Sequence, residues 1–156
     1  MKLHIFNPEN DLALADGNSN YCPPPMARTI AHDLAALPLW YAANEDMVMV
    51  PSLLYVKYAT CLSALFTMPS VSLAPPMSQI TAVAPWGWSA QMRRRLKDMG
   101  VGEPLLPTLQ NLEHIRALSN RRVAINIMQA LRSSGIDTPD IPIYTTQPAE
   151  VAAFIN

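Results

Sequence analysis

Short apolar runs alternate with helix-length amphipathic segments through most of the chain. Leu3, Ile5 and Phe6, with His4 among them, predict a first strand, followed over residues 7–20 by a long polar loop. Cys22-Pro23-Pro24-Pro25 marks a helix start, because proline at the first helical position gives up no needed N–H. Ile30, Leu34 and Leu37 at i, i+4, i+7, with Ala27 and Ala31 beside them, predict a helix over 26–37. Pro38 ends it or begins a short turn through Leu39, Trp40 and Tyr41. Residues 47–50 are uninterruptedly apolar, as in a strand buried on both faces. Ser52 is placed to cap a helix carrying Leu53, Leu54, Tyr58, Cys61, Leu62 and Leu65. Residues 71–73 predict a weak third strand and 80–84 a fourth. Ser89 then caps a helix over 90–99 that stops at Gly100.

The pattern changes after that point. Residues 101–107 read as an extended connector, with room for an edge strand at 103–106. Thr108 caps a short helix containing Leu109, Leu112, Ile115 and Leu118. Ser119 caps another over about 120–133, with Val123, Ile127, Ala130 and Leu131 on one side and Gly135 as its stop. A strand at 141–145 and a last helix over 149–154, opened by Pro148, complete the chain. The strand spacing is too long for hairpins and suits right-handed βαβ crossovers. The expected fold is α/β: a Rossmann-like, open, mainly parallel sheet with flanking helices over 1–107, then a small helical or α+β extension over 108–156.

Composition narrows the function classes. A length of 156 residues suits about one domain. The apolar share of 50% is ordinary, but a charged share of 15% is low. Either a partner or further polypeptide covers part of the surface, or the chain is a compact domain around a large buried sheet. With 11 basic and 12 acidic residues there is no basic stripe for nucleic-acid phosphates. Arg93, Arg94, Arg95 and Lys97 fall on a predicted helix, where consecutive side chains diverge into a solvated face. Cys22 and Cys61 have no metal or redox spacing and fit reduced thiols in a cytoplasmic protein. The apolar N-terminal run is too short for a signal peptide, and no run approaches the ~20 residues that span a membrane.

The C-terminal 40 or so residues carry a family signal. Asn120-Arg121-Arg122, then Gly135-Ile136-Asp137-Thr138-Pro139, then a short apolar strand, then Pro148-Ala149-Glu150 occur in that order. This resembles the entry to the ATP-grasp fold, and residues 1–106 resemble the Rossmann-like domain that precedes it in such enzymes. The sequence stops short of the glycine-rich loop, nucleotide-binding lysine and metal-binding carboxylates of that fold. The resemblance therefore implies the N-terminal, substrate-side portion of a carboxylate–amine ligase, in which ATP activates a carboxylate as an acyl phosphate. It implies ATP and Mg²⁺ for the complete protein and neither for this chain alone, which is expected to be inactive. It also implies that Arg121 or Arg122 faces a nucleotide phosphate, and that the remaining ATP-grasp region comes from further sequence or a partner chain.

The residues themselves offer candidates for binding. Asn7, Glu9, Asn10 and Asp11 follow the first strand, at the sheet edge where open α/β proteins hold ligands. As a cluster they suit a small polar substrate; singly, each reads first as a loop-building residue. No G-x-G-x-x-G is present, which argues against a dinucleotide cradle. Trp86 and Trp88 flank Gly87 at the end of the fourth strand and either stack on a flat ligand or pack between domains. His4, His32 and His114 are scattered without a second metal ligand at i+4, and Cys22 has no evident base. Catalytic and metal-ligating residues are therefore not assigned. Two other function classes stay open: a stand-alone small-ligand binding module, and a module whose helices over 109–131 pair with a partner or a second copy as a homodimer.

Overall fold

Among the described residues, four parallel strands form one sheet: β1 (Lys2–Ile5), β2 (Met47–Met49), β3 (Ser70–Ser72) and β4 (Ala82–Pro85). The computed structural model describes residues 1–142, 144–145 and 147–155. The strand order is β3-β2-β1-β4, so the chain builds outward from β1 on one side and then crosses to its other side. β1 is thus interior, with Leu3 opposite both Met47 of β2 and Val83 of β4.

Alternation along the strands sends apolar side chains to both faces. Leu3 and Ile5 join Ile80, Met92, Leu96, Val101 and Leu106 in one core cluster. Val48 and Val50 join Ala36, Leu39 and Ala59 in the other. The first cluster is covered by α4 (Ala90–Asp98), whose Met92 and Leu96 stand at i, i+4 and are fully buried. The second is covered by α3 (Leu53–Ser63) and the 3₁₀ turn Leu37–Trp40. Helices on both faces are what a purely parallel sheet requires.

Asp46 fastens the start of β2 to its neighbours. It accepts the Lys2 N–H at 3.1 Å and the His4 Nε2–H at 2.9 Å. Its carbonyl accepts the Ser70 N–H at 3.2 Å. Burial alone would raise its carboxyl pKa. The His4 and Lys2 hydrogen bonds and positive charge outweigh that, and the pKa lies below the usual carboxylate range.

Several expectations need correction. The segment over 7–20 is not one long loop, because α1 (Asn10–Asp16) forms inside it. Leu12 to Ala15 are helix formers, Ala13 and Leu14 are buried, and Gly17 closes the helix at φ 75°, its N–H bonding to Ala13 O. The helix expected over 26–37 divides into α2 (Pro25–Asp33) and the separate 3₁₀ turn. Residues 103–106 form no edge strand; Glu103–Leu105 is a 3₁₀ turn, suited to Pro104. Ser52 makes no side-chain cap bond, whereas Ser89 accepts from Met92 N and Thr108 from Asn111 N. Asn120, not Ser119, caps the long C-terminal helix, accepting from Arg122 N at 3.0 Å.

The chain divides into two compact units, Met1–Arg116 and Ala117–Asn156, with α5 (Leu109–Leu118) running across the division. The second unit holds α6 (Arg121–Ser133) and α7 (Pro148–Ile155). α6 ends at Gly135, φ 80°, where Ile136 N bonds to Leu131 O at 3.0 Å. Arg132 then holds the following turn through Thr138 Oγ1 and the Thr138 and Pro139 carbonyls. In the segment expected as a strand over 141–145, Ile141, Pro142, Tyr144 and Thr145 are not in a strand, and Ile143 lies outside the described residues. Among the described residues, no helix is long and apolar enough to cross a membrane.

Candidate functional site

The strand order turns at β1, and its carboxyl end lies beside that of β4 on one side and β2 on the other. Open α/β sheets hold ligands outside these ends. The residues that follow β1 and β4 are bound directly to each other. Asn7 Nδ2 donates to Gly87 O at 2.9 Å, and Gly87 N donates to Asn7 Oδ1 at 3.2 Å. Trp86 N donates to Ile5 O at 2.8 Å, continuing the β1–β4 ladder by one step. A Cβ on Gly87 would lie 2.2 Å from Asn10 Nδ2, so only glycine leaves room for the Asn10 amide beneath the loop.

The predicted polar cluster therefore divides by role. Asn7, 1% exposed, has both ends of its side chain committed to Gly87. Glu9 and Asn10 are also buried, yet Glu9 Oε2 and Asn10 Oδ1 find no hydrogen-bond partner among the described residues. Such orphaned atoms are uncommon inside proteins, and for a carboxylate they are costly. Asp11 is exposed in the first turn of α1. Asp16 and Asn18 build the next turn, accepting from Asn18 N and Asn20 N.

Glu9 lines a cleft of about 360 Å³. Its floor is the ends of β1 and β2: Ile5, Phe6, Met49 and Val50. Its walls are two helix faces, each contributing a pair at i, i+4. Arg28 and His32 come from α2, Gln91 and Arg95 from α4. The Arg28 and Arg95 guanidinium groups form no hydrogen bond or ion pair with the described residues, and both side chains are exposed. His32 is held in place: its Nδ1 lies 3.2 Å from Asp33 Oδ1 and its ring meets Tyr55 edge-on. The three consecutive arginines of α4 diverge. Arg93 pairs with Glu103 and donates to Pro107 O, Arg94 approaches Asp98 at 3.6 Å, and Arg95 turns to the cleft.

The two tryptophans also separate. Trp88 packs against the core cluster beneath β1. Trp86 is 57% exposed, with its ring edge-on to Phe6 at 5.4 Å and tilted to Tyr41 at 6.4 Å. In the second unit, Arg122 lies over the Tyr144 ring, 3.8 Å from its centroid, and also bonds to its hydroxyl. The Arg121 guanidinium makes no such contact with the described residues. No group of three or more His, Cys, Asp or Glu is placed to hold a metal ion among the described residues.

Arg28 and Gln91 carried no signal of their own in the sequence, and His32 and Arg95, expected there as a lone histidine and as part of a solvated face, instead line the cleft. The available signal was the repeated i, i+4 polar pair on each of two predicted helices that follow strand ends. Arg116 was also missed. Its Nε and Nη2 donate to Leu14 O at 2.8 Å and Ala15 O at 3.1 Å, closing the C-terminal end of α1 from about a hundred residues away.

No family model, curated protein or solved structure matches this chain.

Proposed function

We propose that this chain is the substrate-side portion of an ATP-grasp-like carboxylate–amine ligase, built on a Rossmann-like sheet. The observation that carries the reading is the cleft at the carboxyl ends of β1 and β2, lined by Glu9, whose Oε2 is buried without a partner among the described residues, and by two arginines likewise unpaired among them. A ligase of this class needs a place to hold a small charged substrate before the acyl phosphate forms. Further support comes from the second unit, where Asn120 caps α6, Gly135 ends it and α7 begins at Pro148, in the order the resemblance calls for, although the described residues of 141–145 between them form no strand. Arg122 is engaged by Tyr144, so the reading assigns the phosphate contact to Arg121. ATP and Mg²⁺ are then held by residues outside these 156, and the chain alone turns over no ATP.

The test is the coding sequence downstream of Asn156. The reading predicts a glycine-rich loop, a lysine and paired carboxylates there, and substrate-dependent ADP release by the longer product. A termination codon contradicts it.

A second reading, a stand-alone binding module, is favoured by one fact: every residue lining the cleft belongs to the first unit. It predicts full ligand affinity from residues 1–156 with no nucleotide-dependent chemistry at all.

A further inference from the structure

The cleft has a charge arrangement that specifies its occupant more closely than "small polar substrate". One wall carries a carboxylate, Glu9, which is only 8% exposed and whose Oε2 has no partner among the described residues. The flanking helices carry two guanidinium groups, Arg28 and Arg95, also without partners among the described residues. The floor between them is apolar, made by Ile5, Phe6, Ala35, Met49 and Val50.

A ligand that satisfies all three regions carries an anionic group for the arginines, a cationic N–H group for Glu9, and an aliphatic body. A plain anion satisfies the arginines but would leave the buried carboxylate uncompensated and add a like charge near it. A plain amine has the opposite defect. Arginine presents a planar fork suited to a carboxylate, and an ammonium group supplies three donors to a carboxylate oxygen. The volume of about 360 Å³ is near the small end of ligand pockets, which fits a single amino acid rather than a nucleotide.

We infer that this cleft binds an aliphatic α-amino acid as its zwitterion, with Arg28 and Arg95 on the carboxylate and Glu9 on the ammonium group. The inference rests on the ligase reading only for its biological setting, since binding needs neither ATP nor further sequence.

The experiment is isothermal titration of the 156-residue chain with three probes of matched shape: L-leucine, 4-methylpentanoate, which lacks the amine, and 3-methylbutylamine, which lacks the carboxylate. Leucine is expected to bind at least about tenfold more tightly than either of the others, as loss of one charge-assisted hydrogen bond implies. Arg28→Ala and Arg95→Ala should each weaken leucine by about tenfold or more. Glu9→Gln should weaken leucine while leaving 4-methylpentanoate unchanged or tighter. Both arginines are exposed and the glutamine is isosteric, so each variant should melt as the parent does, and melting curves check this. The inference is overturned if 4-methylpentanoate binds as well as leucine, if Glu9→Gln leaves the discrimination intact, or if none of the probes binds. Leucine binding together with a termination codon after Asn156 would overturn the ligase reading alone. A downstream nucleotide site with no leucine binding would overturn this inference alone.

Discussion

Asn7 grips Gly87 at both its N–H and its C=O, at 3.2 and 2.9 Å, and so welds the end of β1 to the loop after β4. This contact spans 80 residues of sequence and sits beside the cleft. It holds in position the turn from which Glu9 and Asn10 project.

Asn7→Ala should therefore destabilise the first unit by about 1–3 kcal/mol, since it strands two backbone groups that are partly buried. Asn7→Asp should behave similarly, because a carboxylate oxygen cannot donate to Gly87 O. Urea unfolding of both variants checks this. An unchanged midpoint would mean that water replaces the clamp at no cost.

Gly87→Ala places a methyl group against the Asn10 amide and should cost about 1–3 kcal/mol. The cost should shrink but not vanish when Asn10 is also alanine, because the added carbon would lie 2.2 Å from Asn10 Nδ2 but also 2.8 Å from Asn10 Cβ, which alanine keeps. A double-mutant cycle reads the coupling directly. Additive effects would show that the strain lies elsewhere.

Arg116→Ala should release the C-terminal end of α1 and lower stability by about 1–2 kcal/mol, because the Leu14 and Ala15 carbonyls lose their donor. Arg116→Lys should recover only part of that, since an ammonium group does not span both carbonyls as the guanidinium fork does. Hydrogen exchange at Gly17, whose N–H bonds to Ala13 O, provides a local reading.

Acid should weaken the sheet through Asp46. Its folded-state pKa lies below the ordinary carboxylate value despite burial, because His4 and Lys2 bond to the charged form. The resulting stability is fully present above the unfolded pKa and is lost as pH falls through the folded one. Asp46→Asn should lower stability at neutral pH and flatten the decline of the melting temperature below about pH 4. A variant with the parent's acid limb would assign that limb to other carboxylates.

The sheet was legible in the sequence because its signals are local. The apolar runs at Leu3–Phe6 and Met47–Val50, the Ser89 cap and Gly100 needed no distant partner to be read. α1 was not legible, because Asn10, Asp11 and Asp16 read as loop residues, and their helix depends on burying Ala13 and Leu14 and on Arg116. The expected strand at 103–106 lost to Pro104 and to the ion pairs of Glu103 with Arg93 and Lys97, which draw the segment into a tight turn. Of the candidate site, the polar residues after β1 stood out in the sequence, but their division into a clamp and a cleft wall did not. That division depends on Gly87, 80 residues from Asn7. Arg28 and Arg95 stayed hidden because an arginine on a helix face looks the same whether it meets solvent or a cleft.

The most direct test of the account is an amide ¹H–¹⁵N spectrum of the chain titrated with L-leucine. Saturable shifts centred on Phe6, Glu9, Arg28, Val50, Gln91 and Arg95, lost in Glu9→Gln, are the predicted result. Shifts centred elsewhere, or a spectrum unchanged up to millimolar leucine, would contradict the claim that the carboxyl edge of β1 and β2 is a binding site for a zwitterionic amino acid.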